Sequence, residues 1–142
     1  FIVSVPWMKD QQGAATQQIT ELIDLYPTLA ELAQLQAPSS LPGESLLPLL
    51  NDPDSDDWTK DVAFTISRNG GESIRTHDWR FTQWDHGAGG MELYDLKTDP
   101  GEFTNLALDP AYGERLKQLK GQLEAKRRDA GFSAKKYQKK KK

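Results

Sequence analysis

The 142-residue chain contains no cysteine. That excludes disulfides, thiolate zinc sites and a cysteine nucleophile together, and it leaves the compartment open. Histidine is scarce as well. The only two, His77 and His86, do not form the H-x-x-x-H spacing that sets two metal ligands on one helical face. No phosphate loop (G-x-x-x-x-G-K-[ST]), dinucleotide fingerprint (G-x-G-x-x-G) or nucleophile elbow (G-x-S-x-G) occurs. The acidic run NDPDSDDW lacks the glycine and the terminal glutamate of an EF-hand loop and reads as solvated loop. No run approaches the roughly 18 apolar residues of a membrane span. The chain opens on Phe1 with FIVSVPWM rather than on a Met and a signal-type leader, so its start reads as cut.

Positive charge is also in deficit over most of the chain. Up to residue 133, 12 Lys and Arg face 21 Asp and Glu, a balance of −9 that the six lysines of AKKYQKKKK bring to −3. Such an acidic body does not suit nucleic acid, which favours a basic stripe interleaved with aromatics. The lysine block at 132–142 has nothing to bury and is expected to be disordered.

What is present is organised in three stretches: 1–60, 61–131 and the tail 132–142. FIVSV is apolar on both faces, as expected for an interior strand of a parallel sheet, and Pro6 ends it. WMKDQQGAATQQ should be the loop at that strand's C-terminal end, the edge where α/β proteins place their sites. In ITELIDLYPTLAELAQL, residues Ile19, Leu22, Ile23, Tyr26, Leu29, Leu32 and Ala33 share one helical face. Pro27 either kinks this helix, or its regular part starts near Asp24 as a cap with Pro27 in the first turn. A Pro- and Gly-rich connector around a short SLLPLL helix follows.

The second stretch reads as a small antiparallel sheet. DVAFTIS, the two arms of ESIRTHDWRFTQW about a His77-Asp78 turn, and MELYDL supply four strands. A closing helix starts with Asp109 as N-cap and Pro110 at the first position, stops at Gly131, and packs through Tyr112, Leu116, Leu119 and Leu123. Trp79, Trp84, Tyr94 and Phe103 read as half-buried core aromatics, with a sugar-stacking platform as the functional alternative. His86, in WDHGAGG, groups an imidazole with an acid and an aromatic on a loop.

One stretch carries more. ELYDLKTDPGEFTNLA closely resembles the E-L-Y-D-L-x-x-D-P-x-E-x-x-N-L-A signature near the C-terminus of type I sulfatases. In the same order, ELIDLYPTLAELAQL resembles that family's D-L-x-P-T-L-x-x-L-A helix, GESLLPLL its G-x-S-L-L-P-L-L turn, and SIRTHDWRFTQW the S-I-R-T-x-x-Y-R-Y-T-x-W hairpin of the iduronate-2-sulfatase branch. The resemblance implies an α/β, alkaline-phosphatase-like fold, of which this chain holds the end of the large domain and a C-terminal antiparallel subdomain. It implies sulfate-ester hydrolysis, on a carbohydrate or glycosaminoglycan, by a formylglycine made from a C/S-x-P-x-R motif with calcium beside it, in a periplasmic or secreted enzyme. Those catalytic parts are not in this sequence: Ser40-Leu41-Pro42-Gly43-Glu44 puts Glu where the motif needs Arg. The chain is therefore expected to bind no calcium and to be inactive without a catalytic N-terminal part.

The signature itself reads as architecture, because Asp, Pro and Gly fix turn geometry whereas catalysis needs convergent groups with a base or metal. Substrate contact is expected instead from Trp84 with His86, and from Trp7 with Lys9, each an aromatic face beside a cation or donor. A freestanding, non-catalytic module that binds a polyanion such as a sulfated glycan is the second reading.

Overall fold

A computed structural model describes residues 2–131; Phe1 and the lysine-rich tail lie outside the described residues. The chain divides into two compact units, one up to Asp61 and one from Val62 onward.

In the first unit the expected interior strand is absent. Ile2–Val5 runs without a pairing partner, with Ile2 96% exposed and only Val5 buried. A strand exists only where another strand satisfies its ladder, and the described residues of this unit contain none. The Pro27 alternatives resolve toward the later start. A 3-10 turn at Leu22–Asp24 leads into helix α1, Leu25–Leu32, so Pro27 falls in the first turn, where its missing N–H had no helical partner to lose. Asp24 does not cap that helix with its side chain; it is drawn elsewhere, as described below. Gln34, at φ 58, ends α1 in a left-handed residue, with Gln34 N–H donating to Glu31 O at 2.9 Å and Leu35 N–H to Ala30 O at 2.8 Å.

The face of α1 that the sequence marks as apolar is outside. Leu22 is 75%, Tyr26 60% and Leu29 64% exposed, while Asp24, Pro27 and Thr28 are buried. The apolar packing of this unit is small: Leu46, Leu49 and Trp58, with Leu50 against them, around helix α2, Leu47–Asn51.

The second unit is a four-stranded antiparallel sheet in the order β1 (Ala63–Ile66), β2 (Gly71–Arg75), β3 (Trp79–Trp84), β4 (Met91–Asp95), covered on one face by helix α3, Gly113–Asp129. Asp109 accepts from Ala111 N–H at 2.9 Å and Pro110 opens a 3-10 turn that feeds α3, while Gly131, at φ +72, ends it. Alternation then sorts each strand. Ile74, Phe81 and Leu93 point to α3 and pack on Leu119 and Leu123 with no more than 2% exposed, and Tyr112 and Leu116 extend the cluster. Phe103 departs from the expected aromatic core: it is 91% exposed, on the turn beyond β4 where no strand alternation directs it inward.

Candidate functional site

Two polar nodes hold the motif segments in place. In the first unit Asp24 is fully buried, and its carboxylate accepts from Glu21 N–H at 2.8 Å and Glu44 N–H at 2.9 Å and pairs with Lys60 Nζ at 2.5 Å. Lys60 also reaches Glu21 at 3.1 Å and lies 5.6 Å over the Trp58 ring, whose Nε1–H donates to Ile19 O at 3.0 Å. Thr28 donates to Asp24 O at 2.5 Å and accepts from Leu46 N–H at 2.8 Å. The Asp and Thr of D-L-x-P-T thus bind the backbone of GESLLPLL. Gly43 belongs to the same joint, since a Cβ there would sit 2.1 Å from Ile23 O. A buried carboxylate bound to an ammonium and to two backbone amides is a structural clamp, with its bonds directed at the chain itself.

The second node is the signature itself. Asn105 Oδ1 accepts from Leu93 N–H at 3.0 Å and Ala107 N–H at 2.9 Å, and its Nδ2 donates to Met91 O at 3.1 Å, so the side chain acts as one more rung on the free edge of β4. Asp99 accepts from Thr104 N–H at 2.8 Å, and Glu102, held at φ 58, places its carboxylate 3.1 Å from Arg80 Nε.

The four residues expected to contact substrate are placed as follows. Trp7 is 67% exposed, and Lys9, also exposed, starts the 3-10 turn Lys9–Gln11. Neither lines the cleft of about 790 Å³ in the same unit, whose walls include Val5, Met8, Leu46 and Leu49 and carry no titratable side chain. Trp84 closes β3, half-buried, with Gly71 as its cross-strand partner; a Cβ on Gly71 would stand 3.0 Å from the indole Nε1. His86 follows on a loop in which Asp85, His86 and Gly87 all have positive φ, at 47°, 57° and 96°.

His86 does not stand alone, and its neighbours were not foreseen from sequence. Its Nδ1 accepts from Arg127 Nη1 at 2.6 Å and lies 3.6 Å from Glu72 Oε2. Glu72 is buried on the α3 side of the sheet, accepts from Gln83 Nε2 at 2.9 Å and contacts Arg127 at 3.4 Å. Strand alternation and helix periodicity place Glu72 and Arg127 on facing surfaces, but 55 residues separate them and no local spacing signals the pair.

On the opposite face of the sheet Tyr94 ionises above its usual range, because partial burial disfavours the phenolate and Glu92 repels it. Among the described residues no group of three or more His, Cys, Asp or Glu is placed to hold a metal ion. The calcium that the sulfatase resemblance implies finds no fitting ligand set on these residues, which assigns it no role here. Nor, among the described residues, is any helix long and apolar enough to cross a membrane.

Comparison with known proteins agrees with this architecture. The chain is 32% identical over 133 residues to the Delta 4,5-hexuronate-2-O-sulfatase of Bacteroides thetaiotaomicron, covering 87% of this chain and 27% of that protein. In three dimensions it resembles BT4656 solved with its substrate D-glucosamine-2-N,6-O-disulfate, with a TM-score of 0.65 and 26% identity over 84% of this chain and 25% of that one. It also resembles the phosphonate monoester hydrolase of Agrobacterium radiobacter, with a TM-score of 0.59 and 27% identity over 74% of this chain and 24% of that one. The chain spans about a quarter of the length of these relatives. The profile of the family described as N-sulphoglucosamine sulphohydrolase, C-terminal, matches residues 1–129, and the chain belongs to that family as the C-terminal part of a sulfatase.

Proposed function

We propose that this chain is the C-terminal portion of an enzyme that hydrolyses sulfate esters on a carbohydrate, of iduronate-2-sulfatase type, with the nucleophile and metal supplied by an N-terminal part. The observation that carries the reading is the family match over residues 1–129, which coincides with a segment whose motif residues are engaged in holding backbone rather than in converging on a substrate. The relatives named for sulfated sugars support a sulfated uronic acid or amino sugar as substrate class. In the complete enzyme a formylglycine and calcium would do the chemistry, and a periplasmic or secreted location fits such a substrate. This chain's part is to complete the fold, and within it Trp84 with His86, and separately Trp7 with Lys9, are the candidates for substrate contact.

The test expresses the chain alone and together with the polypeptide encoded upstream of it, and assays both on an aryl sulfate and a sulfated disaccharide. Turnover only by the complete protein is expected, and turnover by the chain alone overturns the reading. Binding of a sulfated glycan with no turnover by the complete protein would favour the non-catalytic module instead. In the active enzyme, His86→Ala and Lys9→Ala should raise KM more than they lower kcat, because a residue that binds ground and transition states alike acts on KM.

A further inference from the structure

The loop that carries His86 is strained, and its ring is held from behind. Asp85 and His86 both stand in the left-handed region, at φ 47 and 57, which residues other than glycine keep only when their surroundings hold them there. Here the hold is specific: Gly89 N–H donates to Trp84 O at 3.0 Å, Ala88 N–H to Asp85 O at 3.1 Å, and Asp85 N–H to Gly70 O at 3.3 Å. The imidazole is reached from α3, where Arg127 Nη1 lies 2.6 Å from Nδ1. Arg127 is fixed in turn by a cross-strand pair. Glu72 stands opposite Gln83 in the ladder, accepts from its Nε2 at 2.9 Å and faces the guanidinium at 3.4 Å, and both residues are buried.

A guanidinium carries donors and no acceptor. At 2.6 Å, Nδ1 must therefore offer its lone pair, and the ring proton sits on Nε2. A proton on Nδ1 would set two donors against each other, and Glu72 Oε2, at 3.6 Å, is too far to draw it off. With Nδ1 turned to Arg127, Nε2 lies on the opposite edge of a side chain that is 43% exposed, and no group among the described residues accepts from it. The charges around the ring leave no positive excess: Glu72 offsets Arg127, and Asp85 holds its carboxylate between Gly70 and Gly89 on the same loop. We infer that Arg127 is a positioning residue that holds His86 as the Nε2–H tautomer, so that His86 meets substrate as a neutral donor to an uncharged sugar oxygen, hydroxyl or glycosidic, rather than as a cation on the sulfate or carboxylate. The sugar rests on the reading of Trp84 and His86 as substrate contacts. A tautomer fixed before the sugar arrives leaves less to be ordered on binding.

The ring nitrogens of the 15N-labelled 142-residue chain are read by long-range proton–nitrogen correlation at about pH 8.5, well above the ordinary imidazole range. His77, exposed and without a hydrogen bond or ion pair among the described residues, is the internal reference. His86 should show a single tautomer, with the proton on Nε2, while His77 shows the average of two. Glu72→Met with Arg127→Met removes the relay without leaving a buried charge unpaired, and should move His86 to the averaged pattern. An averaged pattern or a proton on Nδ1 in the parent overturns the inference, as does an unchanged His86 in the double variant; the parent spectrum decides even if that variant fails to fold. In the complete enzyme, His86→Ala is expected to raise KM about fivefold, as for one neutral hydrogen bond lost. His86→Gln, whose amide N–H reaches the place of Nε2, should recover most of that loss, and His86→Lys none. The double variant should raise KM by less than His86→Ala, and more than it lowers kcat. Recovery by lysine and not by glutamine, or a penalty in His86→Ala that fades with rising salt, would make the contact ionic and overturn the inference. Parent KM in His86→Ala beside a single tautomer would remove the substrate contact, and with it the donor role. An averaged tautomer beside a raised KM in His86→Ala would sink the role of Arg127 and leave the contact standing, and the tautomer stays readable in a protein without sulfatase activity.

Discussion

The two units of this chain solve burial in opposite ways. From Val62 onward, apolar side chains make the inside, with Glu72 the buried charge at its margin: Ile74, Phe81, Leu93, Leu119 and Leu123 form the core, and the arginines of the hairpin lie on the far face of the sheet. Up to Asp61 the order is reversed around α1, where an Asp–Lys pair is buried and Leu22, Tyr26 and Leu29 are in water. A unit that covers its own hydrophobic stripe carries its stability with it; one that does not keeps its shape through directed bonds such as those of Asp24 and Thr28. An unpartnered apolar stripe of this kind is what a larger protein covers. It agrees with a chain that spans a quarter of its relatives' length.

The largest expected effect tests that contrast directly. Phe81→Ala should destabilise the second unit by about 3–5 kcal/mol, as for a buried aromatic truncated to leave a cavity, while Leu29→Ala in the first should change stability by less than about 0.5 kcal/mol. Denaturant unfolding followed by near-UV signal for the former and by hydrogen exchange for the latter reads both. A core-like cost at Leu29 would mean that its face is covered in solution, and a concentration dependence of that cost would identify self-association as the cover.

A smaller loss probes the clamp. Asp24→Ala leaves Lys60 with Glu21 as its remaining acid and strips the acceptor from two amides, so about 3 kcal/mol is expected, read as faster exchange at Glu21 and Glu44. Replacing both partners, as Asp24→Asn with Lys60→Met, should recover part of that loss, because no charge is then left buried. If the single variant exchanges like the parent at Glu44, the clamp does not hold GESLLPLL to α1.

Much of this was legible in the residues, and the failures share a cause. The four strands, the hairpin turn, the N-cap at Asp109 and the stop at Gly131 rest on short-range rules of alternation, capping and turn chemistry, and the structure contains each. FIVSV and the apolar face of α1 were also read by local pattern. A strand needs a pairing partner and a stripe needs a cover, and neither condition is written in the segment itself. The same holds at the candidate site. Trp84 and His86 could be singled out from WDHGAGG, but the bond from Arg127 to His86 and the buried Glu72 beside it depend on how α3 crosses the sheet.

The finest test separates architecture from chemistry within ELYDLKTDPGEFTNLA. Asn105 makes three backbone bonds along the edge of β4, yet the residue is partly in water, so water can replace some of what is removed. Asn105→Ala should therefore cost only about 1 kcal/mol in the second unit. Asn105→Asp should cost less, since its carboxylate can still accept from Leu93 and Ala107 N–H and only the bond to Met91 O is lost. In the complete enzyme both variants should keep kcat and KM at the parent's values once the folded fraction is accounted for, because the side chain faces backbone and not a cleft. Unchanged stability together with a raised KM would invert the assignment and make the signature part of the substrate site.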